Sequence, residues 1–305
     1  MRNIKHKVLP TLLAGMLAMV SLGLRAQSSS GGSTTLYGCM LSSWGDYFPS
    51  SGIAGIYKFN PYDVTTFSSV APNIRVYGGG TYANGTYYAI NYEEQGVSIK
   101  LPSTLTLYDT KNAWAVKSTY QGGSAESLAS DLTFDPVTGN IYGVFYDANY
   151  KECKRFCTLS LDDPVKGAYT SKLIAELPER MVGIAANQKG VIYAIGQSNK
   201  LYTLNKQTGA ATVIGSTGVS NVTAFFQSAC CNMQTGSIYW ASNYGQYSDY
   251  GIFEVDPSTG SAKLIGDMSY DGTYNEDQLT GLTTLEDVEQ PRFVNAVSNL
   301  GVSFV

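Results

Sequence analysis

Asp135-Pro136-Val137-Thr138-Gly139-Asn140-Ile141-Tyr142-Gly143 reads as a tight turn running straight into an apolar–Tyr–small strand. Glycine at the end of such a turn supplies the positive φ that a chain reversal needs. The same strand signature recurs at Leu36-Tyr37-Gly38, Tyr87-Tyr88-Ala89, Ile192-Tyr193-Ala194 and Ile238-Tyr239-Trp240. The central tyrosines, at 37, 88, 142, 193 and 239, stand 51, 54, 51 and 46 residues apart. A period of about 40–50 residues filled with short strands points to a β-propeller in which each repeat is one four-stranded blade.

Working outward, the other tyrosine runs also follow turns: Asn84-Gly85, Asn187 to Gly190, and Asn232 to Gly236. Upstream of each turn lies a further apolar stretch, at Val76 to Tyr82, Leu128 to Phe134, Val182 to Ala186 and Val222 to Cys230. Downstream come a third strand, a second turn and a fourth strand, clearest at Lys200 to Ile214 and at Ile252 to Ile265. Period-two alternation gives these strands one apolar face toward each neighbouring repeat. The first repeat lacks an inner strand, because Gln27 to Ser33 is polar, and the fifth is followed by a spare strand, Gln278 to Thr283. Pairing that strand with Leu36–Met40 closes a ring and removes its exposed edges. The expectation is an all-β, five-bladed propeller of antiparallel four-stranded blades over residues 34–287, closed by its C-terminal strand. A sixth blade drawn from poorly patterned sequence is the alternative.

Arg2, Lys5 and Lys7 precede a nearly uncharged apolar run, Val8 to Leu24, and Leu24-Arg25-Ala26 offers a small residue for cleavage. Residues 1–26 therefore read as a signal peptide and 27–33 as a linker, with export to the periplasm, outer surface or medium. Removal takes four of the 20 Lys+Arg and none of the 24 Asp+Glu, leaving a net charge of −8. A sheet protein that acidic does not hold nucleic acid by counterion release, nor does it suit an anionic membrane surface. The mature chain carries no segment expected to insert in a membrane.

The single histidine, His6, leaves with the signal peptide. Its loss excludes Ser–His–Asp and Cys–His catalysis and His-ligated zinc, so any chemistry must run on carboxylates, tyrosines or lysines. Of the five cysteines, Cys153 and Cys157 are close enough in sequence to bridge a loop in an exported chain. Cys230 and Cys231 are adjacent in a strand, point to opposite faces and read as small buried apolar residues.

The string Asp135 to Gly143, together with Leu201-Tyr202-Thr203-Leu204-Asn205 and Thr208-Gly209-Ala210, resembles repeats of bacterial exported β-propellers of the YVTN/WD40-like and NHL-like superfamily. That resemblance implies the fold and leaves function open, because such propellers serve as enzymes, cofactor holders, adhesins and scaffolds. Beyond Asp287, Val294-Asn295-Ala296-Val297-Ser298-Asn299-Leu300-Gly301-Val302-Ser303-Phe304 resembles the first strand of a fibronectin type III-like domain. Residues 288–305 are then a linker and the start of a truncated module, and further modules of one parent protein are expected partners.

The connections on one face of such a ring are short and glycine-closed, while those on the other are long and aromatic. The long set carries Trp44, Tyr47, Tyr92, Glu93, Tyr146, Asp147, Tyr150, Tyr244, Tyr247, Tyr250 and Tyr274. Aromatic loops on a rigid scaffold suit stacking on sugar rings or docking a protein. The expected function is non-catalytic recognition of a glycan or protein ligand on that face, with no cofactor and no metal. A carboxylate-dependent glycan-active enzyme is the first alternative, since glycoside hydrolysis needs two carboxyl groups about 5–10 Å apart. Glu126, Asp131 and Asp277 are its candidates, although Gly183, Ser228 and Gly281 stand where Asp131 would repeat. A structural spacer is the second alternative. The cluster Asp267, Asp271, Asn275, Glu276 and Asp277 has oxygen donors for calcium but no EF-hand spacing, and reads as an acidic loop.

Overall fold

The computed structural model describes residues 34–42, 54–95, 98–149, 152–163, 167–222, 227–244, 249–268 and 277–287. The proposed signal peptide, the linker and residues 288–305 lie outside them. The described residues form twenty strands and no α-helix. The chain opens with β1 (Leu36–Ser42), β2 (Gly55–Asn60) and β3 (Asp63–Pro72). Next come β4 (Gly80–Ala83), β5 (Thr86–Gln95), β6 (Ser98–Asp109) and β7 (Ala115–Gly122). After a 3-10 turn at Ala125–Ser127 follow β8 (Ala129–Phe134), β9 (Ile141–Tyr146), β10 (Cys153–Asp163) and β11 (Ala168–Glu176). Then run β12 (Met181–Ala186), β13 (Ile192–Gly196), β14 (Lys200–Leu204) and β15 (Ala211–Ser216). The last five are β16 (Ser228–Cys231), β17 (Ile238–Tyr244), β18 (Asp249–Val255), β19 (Ala262–Asp267) and β20 (Asp277–Thr283).

These strands build a β-propeller-like all-β fold. Three sheets are four-stranded, in the orders β20-β1-β2-β3, β12-β13-β14-β15 and β16-β17-β18-β19. The fourth has eight strands in the order β4-β5-β6-β7-β11-β10-β9-β8. Its two antiparallel halves join through a short parallel pairing, Ala168↔Gln121 and Tyr169↔Gly122. Its end strands β4 and β8 also touch, so it is nearly closed on itself. As expected for the spare strand, β20 lies antiparallel to β1, with Tyr37↔Thr283, Cys39↔Thr280 and Met40↔Leu279 in register.

Burial falls off across each sheet. In one, β12 is buried at every residue whereas β15 alternates between half-buried and exposed. A strand buried on both faces cannot alternate apolar with charged residues, which is why Met181–Ala186 reads as a continuous apolar run. The turns behave as the Asx chemistry predicts: Asp135 Oδ1 accepts the Val137 amide at 2.9 Å, and Asp256 Oδ1 accepts that of Ser258 at 2.8 Å. Gly139 then sits at φ +73° and donates its amide back to the Asp135 carbonyl. Asp135 is fully buried and also takes the Lys206 ammonium at 2.7 Å, tying the β8–β9 turn to the β14–β15 turn.

Two expectations need correction. The stretch Val76 to Tyr82 is not one strand: Gly79 stands at φ +89°, and regular pairing starts only at Gly80. The disulfide between Cys153 and Cys157 is absent, and both are buried free thiols. Both lie on β10, and four residues of extended strand separate them by about 13 Å, far beyond disulfide reach. A register shift between Cys153 and Arg155 also sends the two thiols into different cores.

Candidate functional site

The strands β20, β4, β8, β12 and β16 touch one another in turn, and the last returns to the first. At their centre Asp131, on β8, is wholly buried. One carboxyl oxygen, Oδ2, accepts the backbone amides of Ile184 and Ala229, each at 2.9 Å. The other, Oδ1, lies 2.7 Å from the Ser228 hydroxyl, whose oxygen accepts the Leu282 amide at 2.8 Å. One side chain thus links β8 to β12 and β16, and through Ser228 to β20. Beside it, Thr133 Oγ1 accepts the Ala186 amide at 2.8 Å. A Cβ on Gly79 would stand 2.7 Å from the Asp131 Cα, and one on Gly183 2.9 Å from the Ala229 methyl. Glycine is what lets these backbones approach so closely.

Burial pushes the Asp131 carboxyl up to about 8, against the pull of its hydrogen bonds from Ala229, Ile184 and Ser228. A cavity of about 20 Å³, bordered by Leu132, Thr133, Ala186, Ala229 and Leu282, has room for about one water. Asp131 is thus enclosed by β8, β12 and β16, with its carboxyl group hydrogen-bonded on both oxygens. Glu126 lies 3.5 Å from Arg155, which also takes the carbonyls of Glu126 and Tyr146. Of Asp277 only the backbone is described, opposite Ser42. Among the described residues no three His, Cys, Asp or Glu side chains converge as a metal site.

Open space lies elsewhere. On one face of the β5–β6–β7 sheet, Tyr87 pairs with Tyr108, Ala89 with Thr106, and Asn91 with Thr104, which pairs in turn with Gln121. The Tyr87 end is apolar and packs with Cys39, Ile56, Val76 and Trp114. The Asn91 end is polar, and there a cleft of about 490 Å³ opens, bounded by Asn73, Arg75, Asn91, Thr104, Tyr108 and Gln121. Asn73 and Arg75 come from the connection between β3 and β4, where Asn73 holds φ +65° and donates its amide to the Ala54 carbonyl. Asn91 Oδ1 is buried and has no hydrogen-bond partner among the described residues. Arg75 is exposed and makes no ion pair among them. These residues escaped the sequence reading, although polar residues in slots that alternation assigns to an apolar face were a visible signal.

Those of the sequence-selected aromatic residues that are described pack into separate cores. Tyr92 is 8% exposed, its ring 5.3 Å from that of Tyr77, and it also borders the cleft. Tyr146 is half-buried, and burial raises its phenol. Tyr244 stands edge-on to Phe253 at 5.2 Å, and Tyr250 is buried and accepts a hydrogen bond from Gln278 Nε2 at 3.2 Å. Tyr92, Tyr244 and Tyr250 belong to three different cores. Asp147 Oδ1 accepts the Asn149 amide within a local turn. Trp44, Tyr47, Tyr150, Tyr247, Tyr274 and most of the acidic loop at 271–276 lie outside the described residues, and of Glu93 only the backbone is described, opposite Lys100.

No family model matches the chain, and no curated protein does. Among solved structures it is similar to a protein of unknown function from Bacteroides caccae, with a TM-score of 0.48, 12% identity, and coverage of 82% of this chain and 98% of that one. A protein of unknown function from Bacteroides thetaiotaomicron VPI-5482 has a TM-score of 0.42 at 12% identity, covering 63% of this chain and 44% of that one. The glutaminyl cyclase of Myxococcus xanthus has a TM-score of 0.40 at 18% identity, covering 61% and 68%. Likeness at that level transfers no activity.

Proposed function

We propose that the chain is a five-bladed β-propeller serving as a non-catalytic recognition module of an exported protein, and that its ligand is a glycan. The cyclic contacts of the five inner strands and the four-stranded sheets outside them support the blade count. The observation that carries the functional reading is the 490 Å³ cleft, whose described lining is a row of amide and hydroxyl side chains, Asn73, Asn91, Thr104, Thr106 and Gln121, beside Arg75. Tyr108, half-buried on the cleft wall, adds flat apolar surface with a polar edge, the pairing of features that sugar rings use. The cleft opens beside the β3–β4 connection, on the face of the long connections, where recognition on a rigid scaffold is commonly built.

Binding to a panel of oligosaccharides, followed by calorimetry on the hits, tests this. Asn91→Ala and Gln121→Ala each weaken binding about 5- to 20-fold, the worth of one or two hydrogen bonds, with an unchanged melting temperature. Unchanged affinity in both variants contradicts the assignment. Chromatography of the incubated sugars reads out the enzymatic alternative directly, as shortened products.

A further inference from the structure

Arg75 is the one charged residue on the cleft wall, and it stands exposed with no carboxylate beside it among the described residues. The whole sequence is acidic, with 24 Asp+Glu against 20 Lys+Arg, so a guanidinium without an ion pair among the described residues stands out in a cleft on charge grounds. Its neighbours there are neutral: Asn73, Asn91, Thr104 and Gln121 offer hydrogen bonds without charge. Asn73 holds its left-handed turn through the bond to Ala54, which fixes the backbone two residues before Arg75. A guanidinium presents its donors as a planar fork that matches a carboxylate in a bidentate pair. One fork beside a row of amides and hydroxyls balances a ligand with a single negative charge and several hydroxyls.

We infer that the sugar unit bound in this cleft carries one carboxylate, as a uronic acid does, and that Arg75 selects it. This rests on the cleft being the glycan site. The carboxylate takes the Arg75 fork while ring hydroxyls meet the amide groups of Asn91 and Gln121 that line the cleft. Because Arg75 is the one cation among the described residues lining the cleft, a densely sulfated or phosphorylated chain leaves charge unbalanced against them, and a neutral sugar leaves the guanidinium unused.

The test compares a uronate-containing oligosaccharide with the same oligosaccharide whose carboxyl group has been reduced to an alcohol, and with a sulfated analogue. Calorimetry is run on the full chain and on Arg75→Met and Arg75→Lys. The protein is expected to favour the uronate over its reduced form by about 10- to 100-fold, the range of a charge-assisted bidentate pair. Arg75→Met binds the uronate and its reduced form alike, and Arg75→Lys keeps part of the preference. Equal binding of the uronate and reduced forms overturns the inference and leaves glycan recognition standing. Preference for the sulfated analogue, or binding of acidic peptides in place of sugars, overturns it as well. Binding of none of the sugars overturns both readings.

Discussion

Asp131→Ala is expected to destabilise the protein by about 3–5 kcal/mol, while Asp131→Asn is nearly neutral at pH 5. Alanine strands the amides of Ile184 and Ala229 in a wholly buried site, together with the Ser228 hydroxyl. Each buried donor left without a partner costs about 1–3 kcal/mol. Asparagine keeps the oxygen on which both backbone amides converge, and the Ser228 hydroxyl, which donates to the other carboxyl oxygen, turns to accept from a protonated acid or an amide nitrogen there. That is the pattern a protonated acid or an amide satisfies, and it agrees with a carboxyl pushed up to about 8 by burial.

A pH dependence follows from the same geometry. The folded chain keeps the Asp131 proton up to about pH 8, whereas an unfolded aspartate loses it near pH 4. Folding therefore takes up a proton between those values. The contribution is complete below about pH 4 and is lost as pH rises through about 8, with a limiting slope of about 1.4 kcal/mol per pH unit. Asp131→Asn removes that slope, so it matches the parent protein at pH 5 and exceeds it at pH 8. Urea unfolding of the two proteins at both values measures this. Parallel pH profiles would contradict the buried-proton account.

A chain ending before Asp277 is expected to lose its cooperative unfolding transition. Its removal strips β1 of a partner along the register from Tyr37 to Ser42. Leu279 and Leu282, 3% and 1% exposed, leave the core shared with Leu36, Tyr57 and Ile252. Truncating one such leucine to alanine costs about 2–5 kcal/mol, and the total stability of a domain is about 5–15 kcal/mol. Polar ties go too: Tyr87 donates its hydroxyl to the Gly281 carbonyl at 2.7 Å, and Glu286 accepts the Met233 amide at 2.8 Å. Asp287 accepts from Lys111 at 2.7 Å and from the Tyr82 hydroxyl. Denaturant titration followed by near-ultraviolet circular dichroism reads the outcome. A sharp transition with the steepness of the parent protein would show that β20 is dispensable.

The strands and turns were legible because their information is local. Asp135 and Gly139 specify a reversal within five residues, and the small–apolar–small run at Gly281-Leu282-Thr283 repeats the pattern at Gly183. The pairing of β20 with β1 could be read because only one edge lacked a partner. The centre was only half legible. Aligned inner strands exposed Asp131 as the odd residue among Gly183, Ser228 and Gly281, yet its role depends on backbone amides of two other strands, which no sequence pattern displays. The cysteine pairing went astray because loop proximity was inferred where β10 runs straight through both residues. The cleft was hidden for a further reason: Asn73, Arg75, Asn91 and Gln121 come from three separate segments and meet only when the first two sheets stand side by side.

The ring closure on which the site depends can be tested by one substitution. Cys39 and Thr280 are directly opposite on β1 and β20, and the Thr280 hydroxyl donates to the Val76 carbonyl at 2.5 Å. Opposed residues of antiparallel strands have Cα atoms about 4.5–5.5 Å apart, within the span of a disulfide. Thr280→Cys, refolded in an oxidising glutathione mixture and digested without reduction, is expected to yield one cross-linked peptide joining residues 39 and 280. A folded Thr280→Cys protein in which both thiols remain free to alkylate after unfolding would contradict the closure.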